Sequence, residues 1–108
     1  MTPRDTRHIV YILGAIKLIE ERTEAGRESF LGELAVQDAV LWRLYTLADA
    51  TLRLSEELKA LHPEIPWERI RGYRNIAAHG YLDLLIEVAW EIIEEHLPML
   101  RTVLASEP

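Results

Sequence analysis

Residues 67–81 read W-E-R-I-R-G-Y-R-N-I-A-A-H-G-Y, and how this stretch folds decides how the chain is built. Three arginines, an asparagine, a histidine and two tyrosines crowd into its fifteen positions. That is too polar for a core helix and too regular for a loop. Pro66 suits the first position of a helix, Glu68 lies near its positive end, and Gly80 is the natural left-handed stop. The spacing predicts one helix ending near His79-Gly80. Gly72 inside it costs about 1 kcal/mol against alanine, so it either lets another backbone come close or is simply tolerated.

Outward from this helix the rest of the chain reads as amphipathic helix. Upstream, His62-Pro63-Glu64-Ile65-Pro66 is the proline-rich break that stops a long periodic run. In that run Val40, Leu44, Leu47, Thr51, Leu54, Leu58 and Leu61 step alternately by four and three, a heptad seam over three repeats. Leu41, Tyr45, Ala48 and Leu52 form a second stripe beside it. Periodicity leaves two arrangements open: one stripe meets a second subunit, or both are covered by the chain's own bundle. Ser29 is placed as the cap of a short segment, Phe30 to Leu34, after a turn at residues 24–27. Thr2-Pro3 opens the first helix, whose stripe of Ile9, Ile12, Ile16 and Ile19 is widened by Val10 and Leu13. Downstream, a last helix from about Asp83 to Leu104 buries Leu82, Ile86, Ala89, Ile93, Leu97, Leu100 and Leu104, with a kink expected at Leu97 before Pro98. The sum is an all-α, up-and-down bundle of four main helices plus a short one, in a single domain over residues 1–108.

At 108 residues with 49% hydrophobic content, the chain can bury a core and still show an apolar face to a partner. It has no cysteine, which excludes a disulfide framework, thiol catalysis and cysteine-based zinc sites and fits a reducing cytoplasm. No apolar run approaches a membrane span or a secretory leader, so no membrane partner is expected. The net charge of −6 argues against nucleic acid only in sum. Fields between exposed charges fade beyond about 8 Å at physiological salt, and Arg69, Arg71 and Arg74 cluster while Glu87, Glu91, Glu94 and Glu95 load the last helix.

Metal chemistry is set aside on spacing. A carboxylate-bridged di-iron bundle needs two Glu-x-x-His pairs, and among the four histidines only Asp5/His8 comes near that pattern. Ser29, Ser55 and Ser106 lack a nucleophile elbow, and there is no glycine-rich phosphate loop. No cofactor is expected. Arg74 and His79 remain. RNA can be cut without a metal when its 2′-hydroxyl is the nucleophile. The reaction needs a base, an acid and a cation on the phosphate. Histidine titrates near neutrality and serves as base or acid, and the arginine fork matches two phosphate oxygens. Five residues apart on an ideal helix, the two diverge by about 140° at ~100° per residue. Either the helix end at His79 relaxes, or the pair acts across a dimer that brings two arginines and two histidines to one cleft.

Arg74-Asn75-Ile76-Ala77-Ala78-His79-Gly80-Tyr81 resembles the Arg-(four residues)-His-x-Tyr signature of HEPN-domain ribonuclease toxins of the HepT type. Ile65-Pro66-Trp67, Ile70 and Gly72 look like that family's lead-in, Val88-Ala89-Trp90 and Leu97-Pro98 like its final helix, and Phe30 with Asp38-Ala39-Val40 like the start of its second. The resemblance implies a HEPN-like homodimer with an interface cleft. It also implies a metal-independent endoribonuclease toxin and a minimal nucleotidyltransferase (MNT) antitoxin as partner. It makes Arg74 and His79 the catalytic pair, Asn75 a polar helper, and Tyr81 the hydroxyl that the antitoxin adenylylates. Arg69, Arg71 and Tyr73 are candidates to hold RNA, the two arginines by charge and Tyr73 by stacking on a base; the competing readings are solvated surface charge for the arginines and a cover over the bundle for Tyr73. Trp67 and Trp90 read as packing residues. Where relatives show Ile-Gly-Glu-Ala, this chain has Leu47-Ala48-Asp49-Ala50; aspartate keeps the charge but shortens its reach toward Arg74. The competing reading is a non-catalytic helical subunit that binds substrate or partner for a nucleotidyltransferase.

Overall fold

The computed structural model describes residues 2–80 and 82–107. Helix α1 (Pro3–Arg22) starts as its residue types require. The Thr2 hydroxyl accepts the Asp5 N–H at 3.0 Å, and the Asp5 carboxylate accepts the Thr2 N–H in return. Ile9, Ile12, Ile16 and Ile19 are buried as expected, whereas Val10 is exposed and does not widen the stripe.

Helix α2 (Arg27–Gly32) starts three residues before the expected first residue, Phe30. The chain reverses at Gly26, whose φ of 94° glycine adopts without a Cβ penalty, so Gly26 becomes the cap. The Ser29 hydroxyl then lies inside the helical stretch and bonds Glu33. Phe30 is buried and stacks on Trp90 at 5.4 Å, which makes Trp90 a packing residue as expected.

Helix α3 (Leu34–Leu52) buries Val40, Leu44, Leu47, Ala48 and Thr51. The expected seam does not continue to Leu61 on the same helix. Asp5 of α1 breaks it: its carboxylate accepts the Ser55 N–H at 2.8 Å and the Ser55 hydroxyl at 2.7 Å. Ser55 in turn accepts the Leu58 N–H and so caps a separate short helix, α4 (Glu56–Ala60). Leu54 and Leu58 still reach the core, but Leu61 is 70% exposed. The seam is therefore about two heptads of helix followed by a break.

After the proline segment, α5 (Trp67–His79) runs between the expected limits, with Pro66 just outside its first turn and Gly80 left-handed at φ 75°. The Trp67 indole N–H donates to the carbonyls of Lys59 and His62, anchoring the helix start as expected. A Cβ added at Gly72 would meet nothing within 4 Å, so packing within this chain does not require that glycine.

The last expected helix is three pieces: α6 (Leu82–Glu91), a π turn (Ile92–His96) and α7 (Leu97–Ala105). Proline has no N–H and its ring crowds the carbonyl four residues back. The chain widens there, and the Leu97 N–H reaches Ile92 five residues back. Ala89, Ile93, Leu97, Leu100 and Leu104 are buried as expected, but Leu82 is exposed.

The described residues thus form an all-α bundle with four main helical stretches and two short helices instead of one. Helices α1 and α5 both pack on α3, and α7 returns against α1. Among the described residues no helix is long and apolar enough to cross a membrane.

Candidate active site

Arg74 lies mid-way along α5, on the side that packs against α3. Its Nε–H donates to Asp49 Oδ1 at 3.1 Å, and the other Asp49 oxygen accepts from Arg53 Nε, also at 3.1 Å. The aspartate reach that looked short in sequence therefore suffices. Partial burial would raise the Asp49 carboxyl, but the hydrogen bonds and charges of Arg53 and Arg74 outweigh it and hold the group below the usual carboxylate range. The Arg74 guanidinium also lies 5.9 Å from the centre of the Tyr45 ring, within cation–π reach. One side chain of α3 clamps this arginine from its edge and another supports it from below.

His79 is exposed at the last residue of α5, directly before the left-handed Gly80. The helix between Arg74 and His79 is unbroken. Five residues of regular helix turn the two side chains about 140° apart, so they do not share one face. Asn75 is exposed. Tyr81 lies outside the described residues.

Tyr73 is corrected. It is fully buried, and its hydroxyl donates to the Leu41 carbonyl at 2.7 Å. Burial pushes its phenol well above the usual tyrosine range. It joins α5 to α3 and cannot stack on RNA. Arg69 turns toward α6, where it grips Glu91 with two N–H groups, so its charge is largely matched. Arg71 is exposed and only loosely near Glu68 at 3.8 Å. It lines an open cavity of about 600 Å³ among the end of α3, α4 and the start of α5, whose wall mixes Lys59 with Glu56 and Glu68.

Asp5, half of the one spacing that faintly suggested a metal, is a helix cap. Among the described residues one other group, Glu91, Glu95 and His96, brings three ligand atoms within 4.8 Å of one another. Its Glu91 carboxylate is already held by Arg69 and lies 3.6 Å from His96, so these contacts join α5 to the π turn.

The sequence reading missed the aromatic shelf beside Arg74. Trp42 is 62% exposed and stacks on Tyr45 with the rings 5.8 Å apart and 14° from parallel. A signal existed: Trp42 falls on neither stripe of α3, so a large apolar side chain was left without a core position. Two shallow pockets of about 370 Å³ each open on either side of this pair. One is lined by His8, Tyr11 and Arg53, the other by Leu41, Ala78 and Leu85.

The chain is 36% identical over 91 residues to a probable ribonuclease HepT of Thermococcus cleftensis, covering 83% of each chain. It is 24% identical over 103 residues to a putative RNase of Methanocaldococcus jannaschii, covering 94% of each. A third relative, from the same archaeon, is described as a gamma-glutamylcyclotransferase and putative RNase. It is 30% identical over 95 residues, which make up 87% of this chain but 43% of that longer protein. No solved structure gives a significant match. The model of the family described as Ribonuclease HepT-like matches residues 12–106, from the middle of α1 to the end of α7, and the chain belongs to that family.

Proposed function

We propose that the chain is the toxin half of a toxin–antitoxin pair: a ribonuclease that cuts RNA with Arg74 and His79. Its activity is restrained when an MNT-type nucleotidyltransferase adenylylates Tyr81. Membership of a ribonuclease family gives the reaction class. The observation that carries the choice of residues is the clamp on Arg74. A guanidinium held by Asp49 through Nε keeps its outer N–H groups for a phosphate, a preorganised charge at the place where negative charge grows.

In this reading an imidazole takes the proton of a 2′-hydroxyl, and the 2′ oxygen forms a bond to phosphorus. The bond from phosphorus to the 5′ oxygen breaks and that oxygen receives a proton. A 2′,3′-cyclic phosphate and a 5′-hydroxyl remain. One chain turns Arg74 and His79 to different faces, so two chains complete the site, with Arg74 of one facing His79 of the other. Asn75, next to Arg74 and exposed, is the polar helper. Adenylylation of Tyr81 joins its phenol oxygen to the α-phosphorus of ATP and releases pyrophosphate. The AMP group then sets a negative charge and a bulky base two residues from His79, where it repels and displaces the RNA phosphate.

The test is cleavage of total RNA by the purified chain with excess chelator, beside Arg74→Ala and His79→Ala. Wild type should cut and leave cyclic phosphate ends, and both variants should be folded and inactive. A folded wild-type chain that leaves RNA intact would replace this reading with that of a binding subunit for the nucleotidyltransferase. Intact mass after co-expression with the candidate antitoxin should rise by whole AMP units. A Tyr81→Phe variant that gains the same mass would remove Tyr81 from the account.

A further inference from the structure

Trp42 presents a large, flat, exposed ring that the bundle does not need. It lies against Tyr45, and Arg74 lies over the Tyr45 ring, so the three side chains adjoin where α5 meets α3. The surroundings are positive although the chain as a whole is acidic. Arg43 donates to the Tyr11 hydroxyl at 3.2 Å, and Arg53 shares Asp49 with Arg74. Burial first, and then the charges of Arg4, Arg53 and Arg7 against that of Asp5, push His8 below the usual histidine range. An aromatic ring next to an arginine-rich surface is the pattern by which proteins hold single-stranded nucleic acid: charge follows the backbone and the ring takes a base.

We propose that Trp42, stacked on Tyr45 beside Arg74, is a platform that receives a nucleobase of single-stranded RNA adjoining the phosphate held by Arg74. The proposal rests on the ribonuclease reading and adds to it a substrate class, unpaired RNA, and a residue that selects the site of cutting. A second copy of this chain is the other candidate occupant of the shelf. Packing of a second copy on the ring would use none of the cations beside it, whereas a polyanion uses both the ring and the arginines.

The experiment uses a 5′-labelled single-stranded RNA oligonucleotide whose cut position is mapped with the wild-type protein. Stacking of one base on an aromatic side chain corresponds to roughly a 5- to 150-fold effect on alanine substitution. Trp42→Ala should lower kcat/KM within that range and Trp42→Phe should keep most of it. An abasic nucleotide next to the cut should cost wild type a similar factor. Combined with Trp42→Ala it should cost little more than either change alone. Fully multiplying losses would overturn the proposal, as would Trp42→Ala within about twofold of wild type. A Trp42→Ala protein that sediments as monomer where wild type does not would also overturn it and make the shelf a subunit contact. If wild type does not cut RNA, the ribonuclease reading fails separately. Binding of a 2′-O-methyl oligonucleotide by wild type and Trp42→Ala then decides the platform on its own, with unchanged affinity counting against it.

Discussion

The Asp49 clamp makes a prediction in which stability and activity part company. Asp49→Ala removes the carboxylate that holds Arg74 Nε at 3.1 Å and Arg53 Nε at 3.1 Å. The side chains of Asp49 and Arg74 are 30% and 35% exposed, so solvent screens the pair heavily. Exposed ion pairs are worth about 0.2–1 kcal/mol, and a charge-assisted hydrogen bond in a drier place about 1.5–3 kcal/mol. A loss of about 1 kcal/mol is the middle of these, and for a chain of this size it lowers Tm by roughly 4 °C. At 25 °C the protein would remain folded. Arg74, released from its edge contact, would keep only the Tyr45 ring beneath it, and misplacing a catalytic group by about 1 Å can cost 10²-fold. Asp49→Ala should therefore lower kcat on an RNA oligonucleotide by tenfold to a hundredfold with a Tm only a few degrees lower. Asp49→Glu, which keeps the charge on a longer stem, should recover much of the rate. Wild-type kcat in folded Asp49→Ala would refute the clamp; so would a loss of rate that Asp49→Glu and Asp49→Ala share equally.

Three further substitutions test the scaffold around that site. Tyr73→Phe deletes a buried hydrogen bond to the Leu41 carbonyl and should cost about 1 kcal/mol, read as a Tm lower by roughly 4 °C, with RNA affinity unchanged. Gly72→Ala should stabilise the helix by up to about 1 kcal/mol, because a Cβ there meets nothing within 4 Å; a weaker dimer instead would show that a second chain approaches that glycine. Asp5 is almost fully buried, and burial alone would raise its carboxyl. The Ser55 and Thr2 hydrogen bonds outweigh that and hold it below the usual aspartate range. A depressed folded pKa means that the stabilisation is present above the unfolded value and is lost as pH falls through the folded one. Asp5→Asn should therefore cost stability at neutral pH and flatten the acid limb of the unfolding curve below about pH 4; an unchanged acid limb would show that the cap carries no such linkage.

The helices were legible because each leaves a periodic trace and chemical punctuation. Thr2-Pro3, the Pro66 start and the Gly80 stop act through the few residues beside them, and all three lie where local chemistry puts them. What was not legible depends on a partner distant in sequence. The break at Ser55 is set by Asp5, fifty positions away, and a heptad pattern runs across it because Leu54 and Leu58 return to the same core. The π turn follows from Pro98, but sequence alone does not distinguish a kink from a widened turn. At the site, Arg74 stood out by residue type, whereas for Tyr73, its neighbour, the sequence left base stacking and bundle packing open until α3 covered it. Trp42 was legible only as an apolar side chain without a core position, and the structure adds that it stacks on Tyr45, over which α5 lays Arg74.

Mixing the two single variants tests most directly the proposal that Arg74 and His79 of different chains form one site. Arg74→Ala and His79→Ala chains are each purified, unfolded together, refolded as a mixture and given the RNA oligonucleotide under chelator. A mixed dimer retains one Arg74 and one His79 on different chains. Recovery of a substantial fraction of wild-type cleavage in the mixture, with none in either parent, is the expected result. A mixture as inactive as its parents, beside a refolded wild type that cuts, would contradict a site built from two chains.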